Sequence, residues 1–389
     1  MGCQIGSSNN RFYAAIESTY GLVPSIAASH RFSALKLSIR QDPDQAERRD
    51  KTGSRTFAGL PGPVRRRTRF QLRTYVSGLG LTGAGPAQGA LVEGALGGNP
   101  QVWDGGTVAQ VAGTALAFGG PHGLSPGQAV AFGGEIRFVL NTPDASTVIL
   151  NAPFSITPSV GSPLGRTITY FPAKQPKSVS IFDYWDPPSA VQRILYGAGV
   201  DRMQIRINGD YHEFLFSGEA ADVIDSVSFV PGEGGLVAFP AEPAPAAFEA
   251  QVIPGHLGQA WLGVVPDRFF TLTAAEITVG NNLDVRSREF GSVLPRCLVP
   301  GPRRVELDFD LYEEDDDATK GLYQAARQRS PIEVMFQLGN ASGQLCGVYL
   351  KSVIPEVPEF NDNERRLQWQ FTRCRAQGIA DDEIAVAFA

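Results

Sequence analysis

The sequence predicts a mainly β protein made of two similar barrel-like or sandwich-like units, each with one short helix. A small all-β domain is inserted into the first unit. The 389 residues include 43 Gly and 28 Pro, well above the usual combined share of roughly 12%, which is typical of many turns. The 23 Phe and 10 Tyr favour strands. The third observation is an internal repeat, which indicates the two units.

The repeat is a motif that occurs once in each half of the chain. The first copy consists of Gly53-Ser54, Leu60, Pro61-Gly62-Pro63, Arg65, Phe70 and Leu72. The second copy consists of Gly291-Ser292, Leu298, Pro300-Gly301-Pro302, Arg304, Phe309 and Leu311. A strand-like segment precedes each copy, at 32–40 and at 269–279. Each unit is therefore predicted to contain a strand, a long polar loop and a second strand, over 64–76 and over 303–312.

A short helix is predicted to follow in each unit. In the second copy, Asp317 is the expected N-cap, Leu322 lies on the apolar face, and Pro331 ends the helix. In the first copy, Asp186 is the expected N-cap and Gly197 the expected C-cap.

Strands are predicted to close each unit. In the first copy, Asn208-Gly209 between 202–207 and 211–217 predicts a hairpin with a type I′ turn. In the second copy, the alternation of apolar and polar residues over 367–373 predicts a final strand.

These elements give the expected domain boundaries. The first unit comprises 11–76 and 183–230, the inserted domain 77–182, a Pro- and Ala-rich linker 231–250, and the second unit 251–389. The insert is predicted to be all-β because short strand-like segments alternate with Gly, Pro and Asp turns. These segments are 107–111, 115–119, 129–132, 136–140, 147–150 and 167–171.

No motif indicates catalysis. The four His are scattered and no two Cys have C-x-x-C spacing. Gly78-Leu-Gly80-Leu-Thr-Gly83 matches a dinucleotide-binding pattern, but the Gly- and Pro-rich segment after it predicts a flexible connection rather than a helix. Glu313–Asp317 is expected to be a solvated loop before a helix rather than a cation site. We therefore expect no enzymatic activity, no cofactor and no metal. No apolar run is long enough to predict a membrane span.

The strand after each Pro-Gly-Pro turn has a charged face, because side chains alternate along a strand. In the first copy this face carries Arg65, Arg67 and Arg69, followed by Arg73. In the second copy the equivalent face carries Arg304, Glu306, Asp308 and Asp310. The opposite charges predict that the two copies lie side by side in an assembly and meet at these faces. Two unrelated solvated faces are the alternative.

Several motifs resemble those of tail tube proteins of long-tailed, siphovirus-like phages. They are Glu17-Ser-Thr-Tyr-Gly21, 48–55 and 70–75 in the first copy, and 281–284 and 288–291 in the second. The order of elements is similar as well. The resemblance covers about 11–76, 183–230 and 250–389, and it leaves out the insert. It implies a structural virion protein, the building block of a tail tube whose stacked rings form the conduit for DNA delivery.

The resemblance also implies how the chain assembles. Family members with one unit mostly form six-membered rings, so this two-unit chain is expected to form a trimeric ring with pseudo-sixfold symmetry. The loops near 41–58 and 280–297 are the expected ring-to-ring contacts, and the insert is expected to project outward. Location in the virion tail is expected, with a host-cytoplasmic stage before assembly.

The expected partners are other copies of the chain, the tape measure, the tail tip and the terminator. Genomic DNA is expected to pass without sequence-specific binding, and the net charge of -6 suits a conduit that does not hold phosphates. Two alternatives remain open at this point. A tail terminator or connector would form single rings that never polymerise. A β-rich binding module would bind a ligand, such as a glycan, through the isolated 105–175 fragment.

Overall fold

The structure is a computed structural model that describes residues 5–44, 51, 53–56, 59, 64–80, 85–244, 251–286, 289–363 and 365–389. These residues contain 27 strands and two α-helices, which confirms the predicted mainly β class. Pro61-Gly62-Pro63, Gly83, residues 245–250 and most of 45–58 lie outside the described residues.

The strands and helices follow one another in this order. The N-terminal part contains β1 (Asn10–Ile16), β2 (Arg31–Phe32), β3 (Lys36–Asp44), β4 (Arg65–Tyr75) and α1 (Gly89–Leu96). Next come β5 (Gln101–Trp103), β6 (Gly106–Ala112), β7 (Ala115–Phe118), β8 (Ala129–Phe132), β9 (Glu135–Asp144), β10 (Thr147–Leu150), β11 (Pro163–Leu164) and β12 (Thr167–Tyr170). They are followed by β13 (Ser178–Trp185), β14 (Arg193–Ile207), β15 (Glu213–Ala220) and β16 (Asp222–Asp225).

The C-terminal part begins with β17 (Gly258–Gly263), β18 (Asp267–Phe269), β19 (Leu272–Gly280), β20 (Asp284–Val285), β21 (Leu298–Val299) and β22 (Arg304–Tyr312). It ends with α2 (Asp317–Gln328), β23 (Ile332–Leu338), β24 (Cys346–Ile354), β25 (Glu359–Asn361), β26 (Gln368–Ala376) and β27 (Ala385–Phe388).

Most of the strands belong to one large sheet. Seven of them lie side by side as antiparallel neighbours in the order β3, β4, β15, β14, β19, β22 and β26. In this order β4 lies between β3 and β15, and β22 lies between β19 and β26. The apolar face of the sheet is covered by both helices, through Leu91 and Val92 of α1 and Leu322 and Ala326 of α2.

A second, smaller sheet lies within the segment predicted as the insert. Its six strands have the order β11, β6, β7, β10, β9, β8. The segment 77–182 also contains α1, and its strands β5 and β12 belong to the large sheet, so the inserted all-β domain with these bounds stays a prediction. It has a core of its own, which includes Val108, Leu116 and Val148. Its other face packs on the large sheet, where the rings of Phe138 and Tyr349 stack with centroids 5.1 Å apart. The domain is thus docked on the large sheet.

The predicted helix between Asp186 and Gly197 is wrong. Residues 193–207 are instead one long strand, β14, in which every residue from Ile194 to Val200 is buried. A strand buried on both faces has no alternation, so its apolar run resembles that of a helix. The predicted N-cap of the other helix is wrong by one residue, because the Asp316 carboxylate accepts a hydrogen bond from the Thr319 N–H (2.6 Å).

The missed helix, α1, lies where the sequence predicts a flexible connection. Its glycines have packing roles. A Cβ on Gly94 would come within 2.4 Å of Val179 Cγ2 on β13, so only glycine allows this close approach. Gly78, upstream, is likewise packed against the Gly343 carbonyl rather than arranged around a ligand. Composition alone cannot separate these glycines from those of a loop.

β14 and β15 form the predicted hairpin, and Asn208 and Gly209 both have positive φ, 74° and 97°, as a type I′ turn requires. The last paired residues are Arg206 and Glu213, however, so the strands are joined by the longer loop 207–212 rather than by the predicted two-residue turn. The described part of the predicted linker, 231–244, is packed on the N-terminal strand. The Glu242 carboxylate accepts hydrogen bonds from Arg11 (2.5 Å) and from the Tyr13 hydroxyl (2.9 Å). None of the described helices is long and apolar enough to cross a membrane.

Candidate assembly surfaces

One face of the large sheet is polar across all seven neighbouring strands. In β4, Phe70 and Leu72 are buried in the core, whereas the arginines at alternate positions point away from it. The same alternation appears in β22, where Leu307 and Phe309 are buried. This polar face consists of the side chains of β3, β4, β15, β14, β19, β22 and β26 that point away from the core.

The arginines of β4 are neutralised by carboxylates on the two adjacent strands. Arg67 forms an ion pair with Glu219, which raises the pKa of Arg67. Arg69 lies 3.4 Å from Asp42 and 3.7 Å from the same Glu219. Arg73 pairs with Glu213 at 2.6 Å. The positive charge of this strand is therefore largely balanced within the chain.

Arg65 has a different role, because it reaches the segment between β20 and β21. Its guanidinium donates hydrogen bonds to the backbone carbonyls of Glu289 (2.8 Å) and Ser292 (3.3 Å). It is thus the one predicted contact residue of β4 that bonds to the second half of the chain.

The acidic residues of β22 lie further along the same polar face. Glu306 lies opposite Arg375 of β26, and the Asp308 carboxylate accepts a hydrogen bond from the Arg373 N–H (2.6 Å). Burial raises the pKa of Asp310, a hydrogen bond from Gln370 opposes this rise, and the nearby Asp308 adds to it.

The two charged strands do not touch each other within the chain. β15, β14 and β19 lie between β4 and β22. The predicted contact of Arg65, Arg67 and Arg69 with Glu306, Asp308 and Asp310 would require another copy of the chain, and it stays a prediction. The sequence identified the exposed face correctly, but strand order decides which charges meet on it.

The strands that carry the polar face are bordered by β3 at one end and, beyond β26, by β25 at the other, and each of these two has one free edge. Among the described residues β3 pairs only with β4, and β25 pairs only with β26. Leu37 and Ile39 of β3 are half-buried, whereas Ala275 and Ile277 of β19 are buried beside β14. Phe360 of β25 is 56% exposed. Free edges with exposed apolar side chains favour pairing with another chain.

The two ends of the large sheet also differ. At the end where β19 stops, the chain forms what we call the loop rim, the described residues of 281–303 together with 377–383. At the opposite end is what we call the hairpin rim, residues 208–212, 270–271 and 312–317. Of the loops predicted to stack rings, 280–297 belongs mostly to the loop rim. Half of residues 41–58 lie outside the described residues.

Each rim carries an exposed aromatic side chain. Phe290 on the loop rim is fully exposed, and Phe270 on the hairpin rim is 78% exposed. The guanidinium of Arg268 lies 4.7 Å from the centre of the Phe270 ring. No sequence pattern separates these two residues from the buried phenylalanines.

A buried arginine of the small sheet, paired with a glutamate of its own strand, is hydrogen-bonded to side chains of the large sheet. Arg137 of β9 is fully buried, 3.2 Å from Glu135, and it donates hydrogen bonds to the side chains of Gln259 and Gln337 (3.0 Å each). Burial lowers the pKa of Arg137 to about 10. The sequence does not reveal this site, because an arginine on an alternating strand ordinarily faces water.

The described residues contain no cluster arranged for chemistry. No group of three or more His, Cys, Asp or Glu side chains among them could hold a metal ion. Burial raises the pKa of Cys374 to about 12 and raises that of Cys346 as well, so both thiols are protonated and poor nucleophiles. The surfaces that stand out are edges and rims suited to contacts with other chains.

Comparison with known proteins gives a family and a similar solved structure. A family model described as "Phage tail tube protein" matches residues 7–368. Among solved structures, the chain is similar to the tail tube of phage SPP1, determined by solid-state NMR and cryo-EM. The identity is 15%, with 33% of this chain and 81% of that chain covered and a TM-score of 0.27. No curated protein matches the chain.

Proposed function

The chain belongs to the phage tail tube protein family and is a structural building block of a phage tail tube, and on this premise we propose that three copies close into one ring of the tube. Each chain would supply two units of a pseudo-sixfold ring. Stacked rings would enclose the channel for DNA delivery. The family places the protein in the virion and implies a non-enzymatic role. The tail terminator and the ligand-binding module are not needed to explain the match to the tail tube family.

The proposal that the chain contains two similar units rests on the strand order of the large sheet, in which corresponding strands have corresponding neighbours. β4 lies between β3 and β15 as β22 lies between β19 and β26. α1 packs on β1, and α2 packs on β17, the first strand of its own half. The proposed units therefore remain 11–76 with 183–230 and 251–389, with α1 added to the first. The inserted domain would then begin after α1 rather than at residue 77.

The way rings close is suggested by the junction inside the chain. The first half is joined to the second by antiparallel pairing of 202–207 of β14 with 275–280 of β19. Two strands of the large sheet have a free edge. They are β3 in the first half of the chain and β25 in the second half. Pairing of β25 with β3 of the next copy would repeat the internal junction and bury Leu37 and Ile39. It would also remove both free edges.

The polar face is the surface that we propose lines the channel. It lies on the side of the sheet opposite the core and the helices, and it would continue around a closed ring. Arg67, Arg69 and Arg73 are each paired with a carboxylate on a neighbouring strand. Neutralised arginines hold phosphates weakly, so DNA could pass without being retained. The tape measure, tail tip and terminator are the further partners proposed, with a host-cytoplasmic stage before assembly.

The test is the mass of the assembled particle and its dependence on the β3 edge. We expect light scattering after gel filtration to give rings of three times 41.7 kDa, or stacks of such rings. Ile39→Glu should leave a folded monomer that does not close rings, because a charge would be buried at the junction. Val160→Glu, at an exposed position of the inserted domain, is the matched control and should assemble normally. Rings formed by Ile39→Glu as readily as by the unaltered chain would contradict the proposed closure.

A further inference from the structure

We infer that Phe290 is the anchor of ring-to-ring stacking, and that its receiving site is the hairpin rim of a second copy around Phe270. This inference rests on the proposed function, because it takes rings as the units that stack. It goes beyond that proposal by naming the contact that joins one ring to the next.

The backbone around Phe290 is preorganised. The side chain of Phe290 is fully exposed, yet the residues on both sides are held in place. Arg65 bonds the carbonyls of Glu289 and Ser292, and the Glu289 carboxylate pairs with Arg286 and, at 3.7 Å, with Arg296. An aromatic side chain on a fixed backbone loses little conformational entropy on binding, which is the usual character of an interface anchor.

Phe270 and Phe290 lie at opposite ends of the large sheet. Phe270 lies just before β19 begins, and Phe290 lies beyond its end. The nine residues of β19 span about 30 Å at about 3.3 Å per residue, so the two residues are at opposite ends of the same unit. Within one chain they cannot meet. Head-to-tail stacking of identical rings places the loop rim of each ring on the hairpin rim of the next.

The charges immediately around the two aromatic residues differ in sign. Phe290 is flanked by the exposed guanidinium groups of Arg286 and Arg296. Phe270 is next to Thr271, whose carbonyl accepts a hydrogen bond from the Tyr312 N–H (3.0 Å). That bond places the acidic run 313–317 beside Phe270. The loop rim also carries Asp381, Asp382 and Glu383, so the positive charge is local to Phe290, where two guanidinium groups share the single Glu289 carboxylate. This local charge favours contact of Phe290 with the acidic hairpin rim of a second copy over contact with another Phe290.

The test measures ring mass and tube length separately. We expect Phe290→Ser to form rings of three chains, but to need roughly tenfold more protein to form tubes in negative-stain electron microscopy. Val237→Ser, at a position that is 87% exposed and on neither rim, should form tubes like the unaltered chain. The melting temperature of Phe290→Ser should be unchanged, because the side chain makes no internal contact that could be lost.

A variant on the receiving rim tests the same contact from the other side. Glu314→Lys should also form rings that stack poorly, whereas Asp104→Lys, an exposed charge change on the inserted domain, should not. Tubes formed by Phe290→Ser at the unaltered concentration would overturn the inference and leave the proposed function standing. Loss of rings as well as tubes would place Phe290 within the ring and overturn the inference too. An unaltered chain that never forms rings would overturn the proposed function itself, and the inference with it.

Discussion

Glu17 is buried, and its carboxylate accepts hydrogen bonds from four donors. Three of them are distant in the sequence, and the fourth lies four residues further along the chain. These are the Ser180 hydroxyl (2.6 Å), the Ser178 hydroxyl (2.7 Å), the Gly197 N–H (2.6 Å) and the Gly21 N–H (2.8 Å). Full satisfaction of its lone pairs offsets the cost of burying a charge. Glu17 begins the motif by which the sequence resembles tail tube proteins, but its partners could not be read from the sequence.

At the same scale, His212 should make stability depend on pH. Its Nδ1 accepts from the Asn208 N–H (3.2 Å), and its Nε2 lies 3.2 Å from the Leu257 carbonyl, which fits the neutral ring. Burial lowers its pKa from 6.5 to about 4. At pH values between about 4 and 6.5, His212 binds a proton more readily in the unfolded chain than in the folded chain. The contribution of His212 is therefore complete above pH 6.5 and is lost as the pH falls towards 4, by up to about 1.4 kcal/mol per pH unit.

Urea unfolding at several pH values checks this expectation. His212→Gln should lose stability at pH 7.5, yet its free energy of unfolding should decline less than that of the unaltered chain between pH 6.5 and pH 4. His256→Gln, at an exposed position, should follow the unaltered profile. Parallel profiles for His212→Gln and the unaltered chain would show that His212 titrates normally.

At the scale of elements, the strands of the small sheet were the easiest to predict, and β14 and α1 were the hardest. The segments 129–132 and 147–150 are strands with the predicted bounds, because turn residues flank each of them. β14 was mistaken for a helix because both of its faces are buried. α1 was missed because its glycines serve close packing. In the assembly surfaces, alternation revealed the charged faces of β4 and β22, but strand order, and with it the true ion-pair partners, depends on long-range pairing.

The glycines of the two helices should respond oppositely to the same substitution. A methyl group on Gly94 would collide with the fully buried Val179, so Gly94→Ala should cost about 1–3 kcal/mol despite the better helix propensity of alanine. A methyl group on Gly321 of α2 would meet nothing within 4 Å, so Gly321→Ala should gain up to about 1 kcal/mol. Denaturant unfolding measures both. Equal effects at the two sites would show that α1 does not pack closely on β13.

For the whole molecule, the proposed assembly uses two kinds of contact with different responses to salt. Ring closure would use backbone pairing and apolar burial at the β3 and β25 edges. Stacking would add exposed charges on the two rims. Raising the ionic strength from 0.1 to 1 M shortens the screening length from about 10 to about 3 Å. We therefore expect salt to shorten tubes into free rings of three chains. Sedimentation that shows monomers instead of rings at 1 M salt would contradict this division.

The antiparallel pairing of β14 with β19 lies inside one polypeptide, and this affects how reliably a ring closes with the correct number of units. In the proposed ring every chain would add two units at once, joined in a fixed geometry as soon as the chain folds. A ring made of separate single units can close wrongly with five or seven of them, each only one step from six. In the proposed ring the nearest mistakes hold four or eight units, and they would force a much larger change of curvature on every junction. Fusion of the two proposed units would thus protect the bore of the tube against miscounting, without any contact devoted to that task.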